Sequence, residues 1–173
     1  ANIAPEYTTK RMIDDYIKNF YKPERERIKL VTANNYAKAK ELAAWKEDTA
    51  ANWDKLVVEK ITFNGQNIKD GTPLASNNFT EGEKIKVEVV IDKRDMKGDL
   101  GIDCVLTEYD ADKKTDKFIS SQDFKLVKTE GSKLYFELDS IAKIPGLCNF
   151  AYRVYPKHAD MAHRQDFAFV RWI

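Results

Sequence analysis

Cysteine, proline and glycine are all scarce here: two, five and seven residues in a chain of 173. Two isolated cysteines, Cys104 and Cys148, make no disulfide framework. Each falls in an apolar, strand-like run, so both read as reduced, buried thiols of a cytoplasmic protein. The few glycines form no phosphate-cradling loop, since Gly98 and Gly101 bracket Asp99-Leu100 without the P-loop or dinucleotide spacing. No apolar run approaches the roughly 20 residues needed to cross a bilayer, and no signal peptide is visible. Charge of one sign is lacking too: 29 Lys+Arg against 28 Asp+Glu leave +1. That speaks against nucleic acid as a partner, because phosphate binding draws on clustered positive charge.

What is present is 43% hydrophobic and 12% aromatic, enough to form a core. The hydrophobic period changes near Trp53. Before that seam, Met12, Ile13, Tyr16, Ile17, Phe20 and Tyr21 recur at helical spacing and make one broad apolar face. Thr8 or Thr9 supplies an N-cap, and Pro23 ends this helix or opens the next at its first turn. Leu42, Trp45, Thr49, Trp53 and Leu56 continue at spacings of three or four. Asn34-Asn35 marks a break or bend, since both disfavour helix interiors. An aromatic-rich face this wide reads as a docking surface, with Arg11, Tyr16, Phe20, Trp45 and Trp53 as structural or interface residues.

Beyond the seam the chain turns to period two. EKIKVEVVID places Ile85, Val87, Val89 and Ile91 on one face and Lys84, Lys86 and Glu88 on the other. LVVEKITF, LGIDCVL, DFKLV, KLYFEL, NFAYRVY and DFAFVRW supply further strands. Asn64-Gly65, Asp70-Gly71 with Pro73, Gly131, Pro145-Gly146 and the loop around His158 separate them. With no helices between the strands a parallel sheet is excluded. The expected fold is mainly β, an antiparallel β-sandwich of immunoglobulin or fibronectin III type over 56–173, preceded by a helical segment over 1–55. Leu134, Phe136 and Leu138 should join the four residues from Ile85 to Ile91 in one core.

Chemistry-bearing clusters are weak. His158, Asp160, His163 and Asp166 share a loop, but their spacing matches no common structural metal site. A buried strand cysteine is a poor nucleophile. The pairs Asp14/Asp15 and Asp110/Asp112 read as solvated charge, and the sequon at Asn78 carries no meaning in a cytoplasmic chain. Tyr109, Tyr135, Tyr152, Tyr155 and Trp172 could make a flat sugar-stacking platform, although alternation turns Phe136, Phe150 and Tyr152 inward. Thus no catalytic, cofactor-binding or metal residue is expected.

TTKRMIDDYIKNFYKP and NNYAKAKELAAWK, with GLCNFAYRVYPKHADM at the other end, resemble the C-terminal segment of the long bacterial α-glucan (maltodextrin/glycogen) phosphorylases. Arg11, Tyr16 and Pro23 match that family's last catalytic-region helix, and Arg153, Pro156 and His158 its terminal stretch. The resemblance implies a parent glycosyltransferase that releases glucose 1-phosphate from α-1,4-glucan with pyridoxal phosphate on a lysine. The family's Ser-Gly-Met-Lys motif has no counterpart, so no cofactor is expected in this segment, and no catalytic role carries over. The implied partners are the catalytic region of the parent, a second copy through the first helix, and α-glucan, with neither nucleic acid nor membrane. The opening at Ala1, in a helix without a preceding core, reads as a piece of a longer chain.

Overall fold

The computed structural model describes residues 8–69, 78–110, 112–143 and 148–173. The Asp70-Gly71, Pro73 and Pro145-Gly146 turn signals lie outside the described residues. Two compact units emerge, Ala1–Trp45 and Lys46–Ile173.

The first unit is helical. Helix α1 spans Thr9–Tyr16, and the Thr8 hydroxyl oxygen caps it by accepting the Arg11 amide at 3.2 Å. A single π turn, Ile17–Tyr21, joins it to α2, Lys22–Asn52. Pro23 accounts for the widened turn: proline has no amide to donate and its ring crowds the carbonyl four residues back, a strain that a local π bulge relieves. Within α2, Ala33–Tyr36 leave helical geometry, with φ of 50°, 55° and 62° at Asn34, Asn35 and Tyr36. Two asparagines tolerate this left-handed conformation, so the expected break falls where the sequence signals it. None of the residues of α1 is buried.

The second unit begins inside the last turns of α2, where Thr49 and Asn52 are buried. Among the described residues nine strands follow: β1 Val57–Phe63, β2 Gln66–Asn67, β3 Lys84–Asp92, β4 Asp99–Asp110, β5 Thr115–Asp123, β6 Lys125–Glu130, β7 Lys133–Ile141, β8 Cys148–Lys157 and β9 Arg171–Trp172. They form two antiparallel sheets, β2-β1-β3-β7-β6 and β5-β4-β8-β9. The β3/β7 ladder runs unbroken from Lys84↔Ile141 to Asp92↔Lys133. Period two then turns Val87, Val89, Ile91, Leu134, Phe136 and Leu138 to one side, all buried, with Ile85 partly buried beside them. Ile102, Tyr152 and Val154 of the second sheet join the same cluster, so both sheets share one core.

Three expectations need correction. DFKLV is not one strand: β5 ends at Asp123, and Phe124 between it and β6 passes the chain to the other sheet and is buried, its ring edge-on to Tyr152 at 5.5 Å. DFAFVRW contributes only Arg171–Trp172, because its start is taken by the Arg164–Asp166 3-10 turn. Strand β5 was not anticipated, since an edge strand exposed almost throughout carries no apolar alternation. The Asn64-Gly65 turn does form, with φ of 47° and 82° joining β1 to β2 as a two-residue hairpin.

Candidate interaction surfaces

Most of the residues singled out on α1 and the π turn lie on the surface. Phe20 is 61% exposed and Tyr21 66%, and Met12, Ile13 and Tyr16 are about half exposed. Tyr16 gathers them: its ring centre lies 5.6 Å from Phe20 and 6.4 Å from Tyr21. Arg11 and Asp15 form an exposed ion pair at the margin of a shallow recess lined by Met12, Tyr16 and Phe20. Trp45 is half-buried. Trp53 belongs elsewhere: it is a core residue of the second unit, 5.5 Å from Phe169.

The outer face of the first sheet is an ionic ladder. Lys86 lies 3.2 Å from Glu88 and 3.4 Å from Glu137, two carboxylates that face each other directly across β3 and β7. Lys60 adds a second cation to Glu88, and Lys133 pairs with Glu59 at 2.7 Å. These bonds raise the ammonium pKa of Lys86 and Lys133 and lower that of the Glu88 carboxyl, hydrogen bonding to the charged partner being the largest cause in each case.

The outer face of the second sheet is different. Asp103 of β4 is fully buried, and both of its oxygens accept from Arg153 on the neighbouring strand β8. Arg164, from the turn after β8, adds a bond at 3.2 Å to Asp103 and lays its guanidinium 4.3 Å from the centre of the Tyr155 ring. Tyr155 is buried and donates to Asp123, so desolvation, then the Asp123 charge, push its pKa up. Gly101 lies beneath that ring, and a Cβ there would come within 2.5 Å of it. Farther along the same face Phe118, Tyr109 and Trp172 are exposed, Phe118 at 61% and Trp172 at 57%.

The five aromatics proposed as a platform therefore do not share a surface. Tyr152 fills the core, Tyr155 is covered, and Tyr135 stands on the other sheet, donating to Glu130. Phe150 does face inward, stacked on Phe63 at 5.2 Å. The loop histidines and aspartates shape turns: His158 Nδ1 accepts the Asp160 amide, and Asp166 accepts that of His163. Asp110 caps the β4/β5 turn by accepting two amides at 3.1 Å. Cys104 is desolvated within β4, and burial pushes its thiol up to about 11. Asp103 and Arg164 escaped sequence reading. The one available signal was an aspartate in the middle of the apolar run LGIDCVL.

Two antiparallel sheets around one core, braced by a buried ion cluster, define an all-β class of domain. Comparison gives the family. The model for the glycogen phosphorylase C-terminal domain matches residues 53–173, and the chain belongs to that family. The maltodextrin phosphorylase of Thermococcus litoralis is 32% identical over 60 residues, which are 35% of this chain and 7% of that protein. The matched stretch is thus a small part of that relative. No solved structure matches the chain. Among the described residues no helix is long and apolar enough to cross a membrane.

Proposed function

We propose that this chain is the non-catalytic C-terminal part of an α-glucan phosphorylase, a cytoplasmic glycosyltransferase, and that it serves a structural role through the apolar face of α1. The observation that carries this reading is the exposed stripe of Met12, Ile13, Tyr16, Phe20 and Tyr21, five large apolar side chains on one short helical stretch. Burying each is worth about 1.5–3 kcal/mol, so a partner is strongly favoured. In the parent that partner is the catalytic region, and in the isolated chain it is a second copy, whose two-fold pairing covers both stripes at once. The two-sheet unit is read as an immunoglobulin-like sandwich. The order β2-β1-β3-β7-β6 against β5-β4-β8-β9 supports this, following the A-B-E-D and C-F-G arrangement of that fold with one edge strand added to each sheet.

Phosphorolysis and pyridoxal phosphate are assigned to the rest of the parent. The family's Ser-Gly-Met-Lys motif, whose lysine carries that cofactor, has no counterpart in this sequence. The purified chain should give no glucose 1-phosphate from maltodextrin and phosphate. Light scattering should show a dimer of the chain, and Tyr16→Glu with Phe20→Glu should return it to monomer with the strand signal intact. The same double substitution should abolish association with a separately produced catalytic region. A wild-type chain that stays monomeric at high concentration and fails to bind the catalytic region would refute the docking role.

A further inference from the structure

We propose that the outer face of the second sheet, between Phe118 and Trp172, is a binding site for an α-linked oligosaccharide. The choice of sugar rests on the phosphorylase reading above, while the site rests on geometry.

Strand register puts the residues on one face. Phe118 pairs with Thr107 and Thr107 with Asn149, which makes one row across β5, β4 and β8. The next row on that face is Val105 opposite Ala151, and the third runs Asp103, Arg153, Trp172. Phe118 and Trp172 therefore stand on opposite edge strands, three strand spacings and four residues apart, about 20 Å on the diagonal. Between them the floor is small, because Val105 is buried and Ala151 ends at a methyl group. An extended ligand can lie on the sheet with an aromatic ring at each end.

The polar groups along this floor suit hydroxyls. Asn149 Nδ2 donates to Asp116 Oδ1 at 2.9 Å, and the Thr107 hydroxyl reaches the same oxygen at 3.4 Å. Both bonds use Oδ1, so Asp116 Oδ2 and the Asn149 carbonyl oxygen present planar acceptors already held in place. The Arg153 guanidinium lies 5.6 Å from the Trp172 ring centre and steadies the indole. The buried charge of Asp103 is answered by Arg153 and Arg164. Aromatic rings flanking fixed, planar hydrogen-bonding groups, one of them the Asp116 carboxylate, match the hydroxyls of a neutral polyol chain. They match an anion, which needs converging cations, poorly, and an apolar helix, which needs a continuous greasy groove, no better.

The test is native gel electrophoresis of the whole 173-residue chain through gels containing glycogen, hydroxyethylcellulose or no polysaccharide. Tryptophan fluorescence titration with maltoheptaose runs in parallel. Glycogen should retard the wild type, hydroxyethylcellulose should not, and maltoheptaose should change the emission. Trp172→Ala and Phe118→Ala should each weaken retention at least tenfold. Both side chains are exposed, so unchanged melting curves will show that the fold survives. Lys86→Ala, on the other sheet, should leave retention unaltered. Unretarded wild type, or retention indifferent to both substitutions, overturns the site, and equal retention by the β-linked polymer overturns its α specificity. These outcomes are independent of association through Tyr16 and Phe20, so loss of the sugar site would leave the phosphorylase reading standing.

Discussion

The two sheets cover their outer faces in opposite ways, although both rest on the same core. The first answers the charges along its middle with neighbours exposed to water, as in Lys60, Glu88, Lys86 and Glu137 across three strands. Among the described residues it buries a carboxylate only at the end of β3, where Asp92 pairs with Arg94. The second buries one carboxylate outright, surrounds it with two arginines and leaves large aromatic rings in solvent. A ladder of exposed pairs tolerates change, because each partner can return to water. A buried charge does not, since removing its partner leaves it desolvated. The difference marks the first face as tolerant of change and the second as rigid beneath the proposed sugar site.

The largest effect should come from Arg153→Met. It strips Asp103 of the partner that engages both its oxygens and leaves only Arg164, itself partly exposed. Breaking a buried pair on one side typically destabilises by about 3–5 kcal/mol. The exposure of the arginine heads places the loss at the lower end, near 3 kcal/mol in a urea melt. The double variant Asp103→Leu/Arg153→Met should recover much of it. A single variant as stable as the wild type would show that the two faces do not differ in kind.

Gly101→Ala should come second. The new methyl would meet Tyr155 at 2.5 Å, so the ring must tilt, and its bond to Asp123 and the Arg164 stack move with it. Overpacking of this sort typically destabilises by about 1–3 kcal/mol. Wild-type stability would mean that the turn carrying Arg164 yields freely and the cluster is not rigid.

How far these features could be read from sequence follows from the same physics. Strand β3 was legible because its apolar face is buried and its charged face solvated, which writes period two into the residues. Strand β5 was not, since an edge strand that buries neither face obeys no period. Phe124 was misplaced because a residue that carries the chain between sheets is as apolar as a strand residue. The terminal Arg153, Pro156 and His158 were noticed by resemblance, and only the register gives them work: Arg153 on Asp103, Pro156 in the interior, His158 shaping a turn. The ion cluster joins residues 50 and 61 positions apart, a separation that no local pattern records.

A pH series separates the sheets by window. Burial keeps the Cys104 thiol protonated in the folded chain to about 11, against 9.0 for an ordinary thiol. Between those limits the native state holds one proton more than the unfolded state, so stability falls as pH rises, by about 1.4 kcal/mol per unit. Burial also raises Tyr152, which deepens the loss once unfolded tyrosine begins to ionise near pH 10. The paired lysines of the first sheet lose their contribution only above their usual 10.5. Urea melts between pH 9 and 10.5 should therefore report the second sheet, and Cys104→Ala should flatten the slope there. An unchanged slope would place Cys104 in water.

Lys86→Ala should have the smallest effect and is the sharper test of the comparison. Glu88 and Glu137 stand directly opposite each other, an arrangement that destabilises a sheet unless a cation lies between them. Lys86 fills that place, but Lys60 and the Thr62 hydroxyl also hold Glu88, the latter at 3.1 Å. Both carboxylates are open enough to water for the repulsion to be screened. Its loss should lower the midpoint only slightly at low salt. At 1 M salt, where the screening length falls to about 3 Å, the difference from wild type should vanish. A large loss that persists in high salt would mean that the ladder is as desolvated as the Asp103 cluster, and the contrast between the faces would collapse.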